Sequence, residues 1–146
     1  MEVAALNPPG DGASSRSSAR DVEGADAFVH RKGAAPAPAG ELAVVLGSRG
    51  APSWIVKGTG NAAGLASVAH GAGRKMTRSE AVAKLKDRYK REELRGAHRV
   101  LCDDNALLYE EHPDAYKAIE PVIGALEAHG QATRVAALAP VVTVKL

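Results

Sequence analysis

A chain of 146 residues with 45% hydrophobic residues suits one domain, or a piece of a larger one, and with aromatics at 3% its core must be built from Ala, Val, Leu and Ile. A formal net charge of +2 excludes a uniformly basic protein, and the lone cysteine, Cys102, excludes both an intramolecular disulfide and a cysteine-based metal site within the chain. No run of 18 apolar residues predicts a membrane span, no basic region followed by an apolar stretch predicts a secretory signal, and a cytoplasmic setting is expected.

Residues 1–26 read as a disordered tail, because "NPPGDGASSRSSARD" is rich in Pro, Gly, Ser and charge and has almost nothing to bury. A short strand is expected at "AFVH" (27–30), followed by a loop over "RKGAAPAPAGE", whose prolines cannot join a sheet interior. "LAVVLG" (42–47) reads as a buried strand, "GSRGAPS" as a turn and "WIVKG" (54–58) as the second strand of the pair. The small residues of "NAAGLASVAHGAGR" specify neither helix nor strand. Thr77 with Glu80 three residues on makes a capping-box pattern, and Val82, Leu85 and Tyr89 predict a helix over 78–90. "HRVLCD" is a further strand. A helix is expected from Pro113 to Gly130, with Ala115, Ile119, Val122, Ile123 and Leu126 as its apolar stripe and Pro121 as a kink. "RVAALAPVVTVKL" closes the chain as one or two strands around Pro140. There is no internal repeat. The mix predicts an α+β (or α/β) chain with a sheet in need of strands from elsewhere.

Charge is distributed unevenly. Between Arg74 and Arg99 ten Lys or Arg stand against four Asp or Glu, and acids dominate from Leu101 to Glu127. The basic block could attract a polyanion such as RNA, although a solvated helix face is the plainer reading.

Four short stretches carry candidate chemistry. In "HGAGRK" a histidine precedes two glycines, an arginine and a lysine. His70 could act as a nucleophile, Gly71, Ala72 and Gly73 could bring backbone N–H groups to phosphate, and Arg74 and Lys75 could supply charge. A histidine packed in a small-residue turn is the plainer alternative. In "GSRGAPS" the hydroxyls of Ser48 and Ser53 could meet a phosphate or ribose, and an ordinary turn also accounts for the residues. "HRKGA" (30–34) offers Arg31 and Lys32 to a phosphodiester backbone or simply to solvent. Lys145 matters only if the final strand is pinned in a sheet.

Taken in order, "HRKGA", "GSRGAPSWIV", "HGAGR", "TRSEA", "LLYEEHPDAYKAIEPV" and "VTVK" resemble the C-terminal part of the RtcB family of GTP-dependent RNA ligases, over about residues 27–146. The wording of "GSRGAPS" and "LLYEEHPDAYK" is closer to the bacterial branch often encoded beside a release-factor homologue. The resemblance implies a guanylate-binding segment of an RtcB-like mixed fold. In it His70 attacks the α-phosphate of GTP and becomes guanylylated, and RNA 3′-phosphate or 2′,3′-cyclic phosphate ends are joined to 5′-hydroxyl ends. It further implies that Ser48 and Ser53 contact the guanylate and that Gly71, Ala72 and Gly73 wrap its phosphate. Tyr116 would pack near the guanine, Lys145 would hydrogen-bond the base, and Arg74 and Lys75 would lie at the phosphate end.

The resemblance also implies manganese, held by an Asp, a Cys and several His in portions of the family that have no counterpart here. His98, His112 and His129 match none of those motifs and read as exposed or helix-end residues, and Cys102 as a strand residue. No metal ligand is expected in this chain. Three readings follow: a ligase piece that acts with its missing half in trans; a truncated, non-catalytic remnant with residual guanine-nucleotide or RNA affinity; and an unrelated small basic RNA-binding protein.

Overall fold

The computed structural model describes residues 3–4, 20–22, 25–97 and 99–145, with side chains over 29–96 and 99–145. It is an α+β fold, as the sequence predicts. Strands β1 (Val3–Ala4) and β2 (Arg20–Val22) pair antiparallel with β3 (Ala25–Val29), so two short strands fall within the stretch read as a tail. Residues 25 and 26 of that stretch open β3, and the remainder lies outside the described residues.

The central sheet has three antiparallel strands, with β6 (Ser53–Gly58) between β5 (Leu42–Val45) and β9 (Ala132–Leu138). Alternation along each strand sends one set of side chains inward. Val45 and Val56 are fully buried against Ile119, Ile123 and Leu126 of helix α4 (Ile119–Ala128). Among the described residues the opposite face is left uncovered. Leu42, Val44 and Leu46 on one edge, with Leu138 and Val135 on the other, are about half exposed or more. The register slips between Ile55 and Val56, whose partners are Ala136 and Arg134, which leaves Val135 as the extra residue of a bulge. Thus "LAVV" is a strand, but one buried on a single face.

The expected loop after residue 30 contains β4 (Ala34–Pro36), which pairs antiparallel with β7 (Ser67–Ala69). Pro36 is tolerated because this two-stranded ribbon has free edges. A turn at Leu65–Ala66 leads into β7 with positive φ at both residues, 52° and 45°.

A second core gathers α1 (Arg78–Leu85), α2 (Arg91–Ala97), β8 (Val100–Cys102) and α3 (Ala106–Glu110) around Leu85, Leu94, Val100, Leu108 and Tyr109. The capping box forms as read: the Thr77 hydroxyl accepts from Glu80 N, and the Glu80 carboxylate accepts from Thr77 N. The helix stops at Leu85 rather than at residue 90, and α2 is a separate helix. The helix expected from Pro113 is also divided. Pro113–Ala115 is a 3₁₀ turn, residues 116–118 are extended, and α4 begins at Ile119. Ala115 therefore belongs to the second core, and Pro121 sits in the first turn of α4, where a missing N–H costs no helical bond. Strand β10 (Thr143–Lys145) pairs parallel with β8, placing Lys145 opposite Cys102. No described helix is long and apolar enough to cross a membrane.

Candidate functional site around His70

Residues 70–75 run from β7 between the two cores. His70 N donates to Gly33 O (3.2 Å), Leu46 N to His70 O (3.0 Å) and Ala72 N to Leu46 O (2.8 Å). On the far side Lys117 N donates to Gly73 O and Lys75 N to Ala115 O, both 2.9 Å. The glycines have separate causes. A Cβ on Gly71 would lie 2.9 Å from Leu46 O, so the close approach of the two backbones requires glycine. Gly73 has φ +75° and open space around it. Between them Ala72 is buried in the first core. His70 is exposed, and its imidazole makes no hydrogen bond to the described residues; its Cε1 lies 4.0 Å from where a Cβ on Gly33 would be. The segment is thus fixed by its backbone while the ring is left free.

The "GSRGAPS" turn stands beside it. Ala51 N donates to Ser48 O (3.0 Å) and Gly47 N to Ser53 Oγ (3.1 Å). Ser53 therefore closes the turn, whereas the half-buried Ser48 hydroxyl makes no hydrogen bond to the described residues. Arg49, not among the residues picked out from sequence, is buried at 7% exposure. Its Nη1 donates to Leu108 O and its Nη2 to Leu107 O, each at 3.1 Å. Burial lowers its pKa from the usual arginine value, against the opposing pull of Cys102, Glu111 and Tyr116. Arg49 thereby ties the turn to α3.

Tyr116, Lys145 and Arg74 converge on Glu111, a carboxylate that sequence reasoning missed. Glu111 accepts from the Tyr116 hydroxyl and from Lys145 Nζ (3.2 Å), and Arg74 Nη1 lies 3.7 Å away. Burial pushes the Glu111 carboxyl up, but the bonds from Tyr116 and Lys145 and the charges of Lys145 and Arg74 outweigh it and hold the pKa below the ordinary glutamate value. Burial, then the bond to Glu111, raises Tyr116. Arg74 is engaged throughout: Nε donates to Met76 O (3.0 Å), Nη1 to the Tyr116 hydroxyl (2.9 Å) and Nη2 to Glu110 O (2.6 Å), with the guanidinium 4.8 Å above the Tyr116 ring. Lys145 is held by the pairing of β10 with β8, the condition set from sequence for it to matter.

The basic "HRKGA" stretch divides in two. Arg31 donates from Nε to Ser67 Oγ (2.8 Å) and from Nη2 to Leu65 O (3.1 Å), bracing the left-handed turn ahead of β7. Lys32 is exposed, as is Lys75. His112, expected to be exposed or at a helix end, is at a helix end but not exposed: it caps the Pro113–Ala115 turn at 6% exposure, accepts from Asp114 N at Nδ1 (3.1 Å) and stacks on Tyr89 at 4.4 Å. Its burial follows from its place between Tyr89 and the 3₁₀ turn that it caps. His129 is exposed at the C-terminus of α4, Cys102 is a half-buried strand residue, and His98 lies outside the described residues. Among the described residues no three His, Cys, Asp or Glu side chains gather where a metal ion could be held.

The family model "tRNA-splicing ligase RtcB" matches residues 16–146. The chain belongs to the RtcB family. It is 44% identical to "RNA-splicing ligase RtcB2" of Escherichia coli (strain ATCC 25922) over 121 residues, which cover 81% of this chain and 32% of that protein. It is 39% identical to "RNA-splicing ligase RtcB" of Escherichia coli (strain K12), covering 70% of this chain and 24% of the relative. For "tRNA-splicing ligase RtcB" of Archaeoglobus fulgidus the identity is 35%, over 77% of this chain and 27% of the relative. The chain thus spans about a quarter to a third of the length of these curated relatives.

Proposed function

We propose that this RtcB-family chain is the guanylate-accepting portion of an RNA ligase that joins 3′-phosphate or 2′,3′-cyclic phosphate ends to 5′-hydroxyl ends. The observation that carries the reading is His70: an exposed imidazole without a hydrogen bond to the described residues, on a segment whose backbone is fastened on both sides. In the first step a neutral imidazole nitrogen attacks the α-phosphorus of GTP. A P–N bond forms, the bond to the bridging oxygen breaks, and pyrophosphate leaves. The fixed backbone places the root of the ring, and a ring with no hydrogen bond to the described residues keeps its nitrogen lone pair available for attack. The free Ser48 hydroxyl can donate to the nucleotide, and the open surroundings of Gly73 leave room for phosphate oxygens. Manganese, when bound, would polarise the triphosphate. Its ligands would come from a partner segment corresponding to the remainder of the longer relatives.

The test is labelling with α-³²P-GTP and manganese after that segment is supplied in trans. A base-stable, acid-labile adduct mapped to His70 by mass spectrometry, and absent from His70→Gln, is the expected result. An adduct on a lysine or on another histidine overturns the proposal. GTP or RNA binding with no adduct favours the non-catalytic remnant.

A further inference from the structure

We propose that the buried Arg49 is a positioning residue for the nucleotide: it acts through Ser48, whose turn it fixes between the His70 segment and the Glu111 cluster. The inference rests on the RNA-ligase reading of the same site and adds a residue that touches no substrate. Arg49 is 7% exposed, and it commits both terminal nitrogens to backbone carbonyls. Nη1 donates to Leu108 O and Nη2 to Leu107 O, each at 3.1 Å, across 59 and 58 residues of sequence. Nε is buried and makes no hydrogen bond to the described residues. A guanidinium taken out of water with one N–H unmatched is a poor stabiliser, and an apolar side chain of similar length would fill the space at less cost. An apolar chain could not hold two carbonyls in a planar fork, which fixes the direction of the contact as well as its distance.

The contact lies at a junction. The turn is closed on itself by Ala51 N to Ser48 O (3.0 Å) and Gly47 N to Ser53 Oγ (3.1 Å), so it moves as a unit. On its N-terminal side Leu46 is bonded twice to the His70 segment: its N–H donates to His70 O (3.0 Å) and its carbonyl accepts from Ala72 N (2.8 Å). On the other side of Ser48, Arg49 is bonded to α3. Ser48 is therefore held between two anchors, two residues from one and adjacent to the other. The α3 anchor carries the rest of the cluster. Leu107 O also accepts from Glu111 N (3.2 Å), Glu110 O accepts from Arg74 Nη2 (2.6 Å), and the Glu111 carboxylate accepts from Tyr116 and Lys145. A helix of five residues leaves most of its carbonyls without a helical partner, which makes its last turn a ready acceptor for such a fork. The half-buried Ser48 hydroxyl, with no hydrogen bond to the described residues, is what the arrangement presents to the ligand. A hydroxyl already held in place gives up little further freedom when the nucleotide binds.

The test is a double-mutant cycle on the full chain. Arg49→Met removes the fork and nearly keeps the volume; Ser48→Ala removes the hydroxyl. Backbone ¹⁵N order parameters are read first, without nucleotide. Those of Gly47, Ser48 and Ala51 should fall from about 0.85, the rigid-backbone value, toward about 0.6 in Arg49→Met and stay high in Ser48→Ala. Arg49→Lys should be intermediate, because a single ammonium does not reproduce the fork. Affinity for a fluorescent GTP analogue is then read by anisotropy, with the remaining segment of the longer relatives supplied in trans. Each single substitution should weaken binding about tenfold, and the double about tenfold rather than about a hundredfold, since Arg49 acts only through Ser48. Losses that multiply would make Arg49 a purely structural residue and overturn the proposal, as would order parameters unchanged in Arg49→Met. Where Arg49→Met does not fold, Arg49→Lys carries the same cycle. A wild-type enzyme that binds no GTP analogue sinks the ligase reading, while a turn loosened by Arg49→Met still upholds the fixing of Ser48.

Discussion

Glu111 joins three parts of the sequence that lie far apart: Arg74, Tyr116 and Lys145 all turn toward one carboxylate. Its native pKa lies below the unfolded value of about 4.5, so folding favours the ionised form. The stability it contributes is complete above the unfolded value and is lost as pH falls through the depressed native value. Glu111→Gln should therefore flatten the acid limb of the stability curve below about pH 4.5, as read by urea midpoints at a series of pH values; an acid limb as steep as wild type would contradict the assignment. At this scale the sequence was partly legible. The glycines flanking Ala72 advertise close backbone approach and positive φ whatever the fold. Which cations remain free is a tertiary fact: Arg31 and Arg74 look like phosphate ligands in the string, yet their partners, Ser67 and Tyr116, stand 36 and 42 residues away.

Helix α1 shows how far local signals reach. Its start is encoded within four residues, because Thr77 and Glu80 satisfy each other's backbone donors at the first turn. Thr77→Ala should cost about 1 kcal/mol, within the usual range for a lost N-cap, and lower Tm by a few degrees in thermal unfolding. An unchanged Tm would mean that the tertiary contacts of α1 dominate its stability. The end of the helix is not encoded locally. Tyr89 keeps helical spacing from Leu85, but its ring stacks on His112 and its hydroxyl donates to Asp114, so the chain turns toward those partners. The helix read through 116–118 fails for a related reason, since Arg74 bridges Tyr116 and Gly73 accepts from Lys117. Helix α3 has only five residues, too few for a periodicity to show.

The two cores meet across residues 70–75, and the central sheet covers only one of its faces. Leu42, Val44 and Leu46 present an apolar edge to solvent, at 65%, 46% and 55% exposure. An unpaired edge strand with such residues invites association. The double substitution Leu42→Thr and Val44→Thr should reduce self-association in light scattering while moving Tm little, because neither side chain belongs to the buried core. Undiminished scattering would locate the sticky surface elsewhere, with the valines near the C-terminus as the next place to look. The few short strands lead the sequence to expect a sheet in need of strands from elsewhere, and the described residues leave apolar side chains exposed on one face. Which face lacked cover was not readable, since "LAVV" is apolar at every position and alternation appears only once β6 and β9 set the register.

The parallel pairing of β10 with β8 has a practical corollary. Lys145 reaches Glu111 from a strand of three residues, so the ion pair depends on the seating of β10 against β8. It thereby reports on that docking: conditions that loosen the strand, read as faster amide exchange over Thr143–Lys145, should release the Glu111 carboxylate with it.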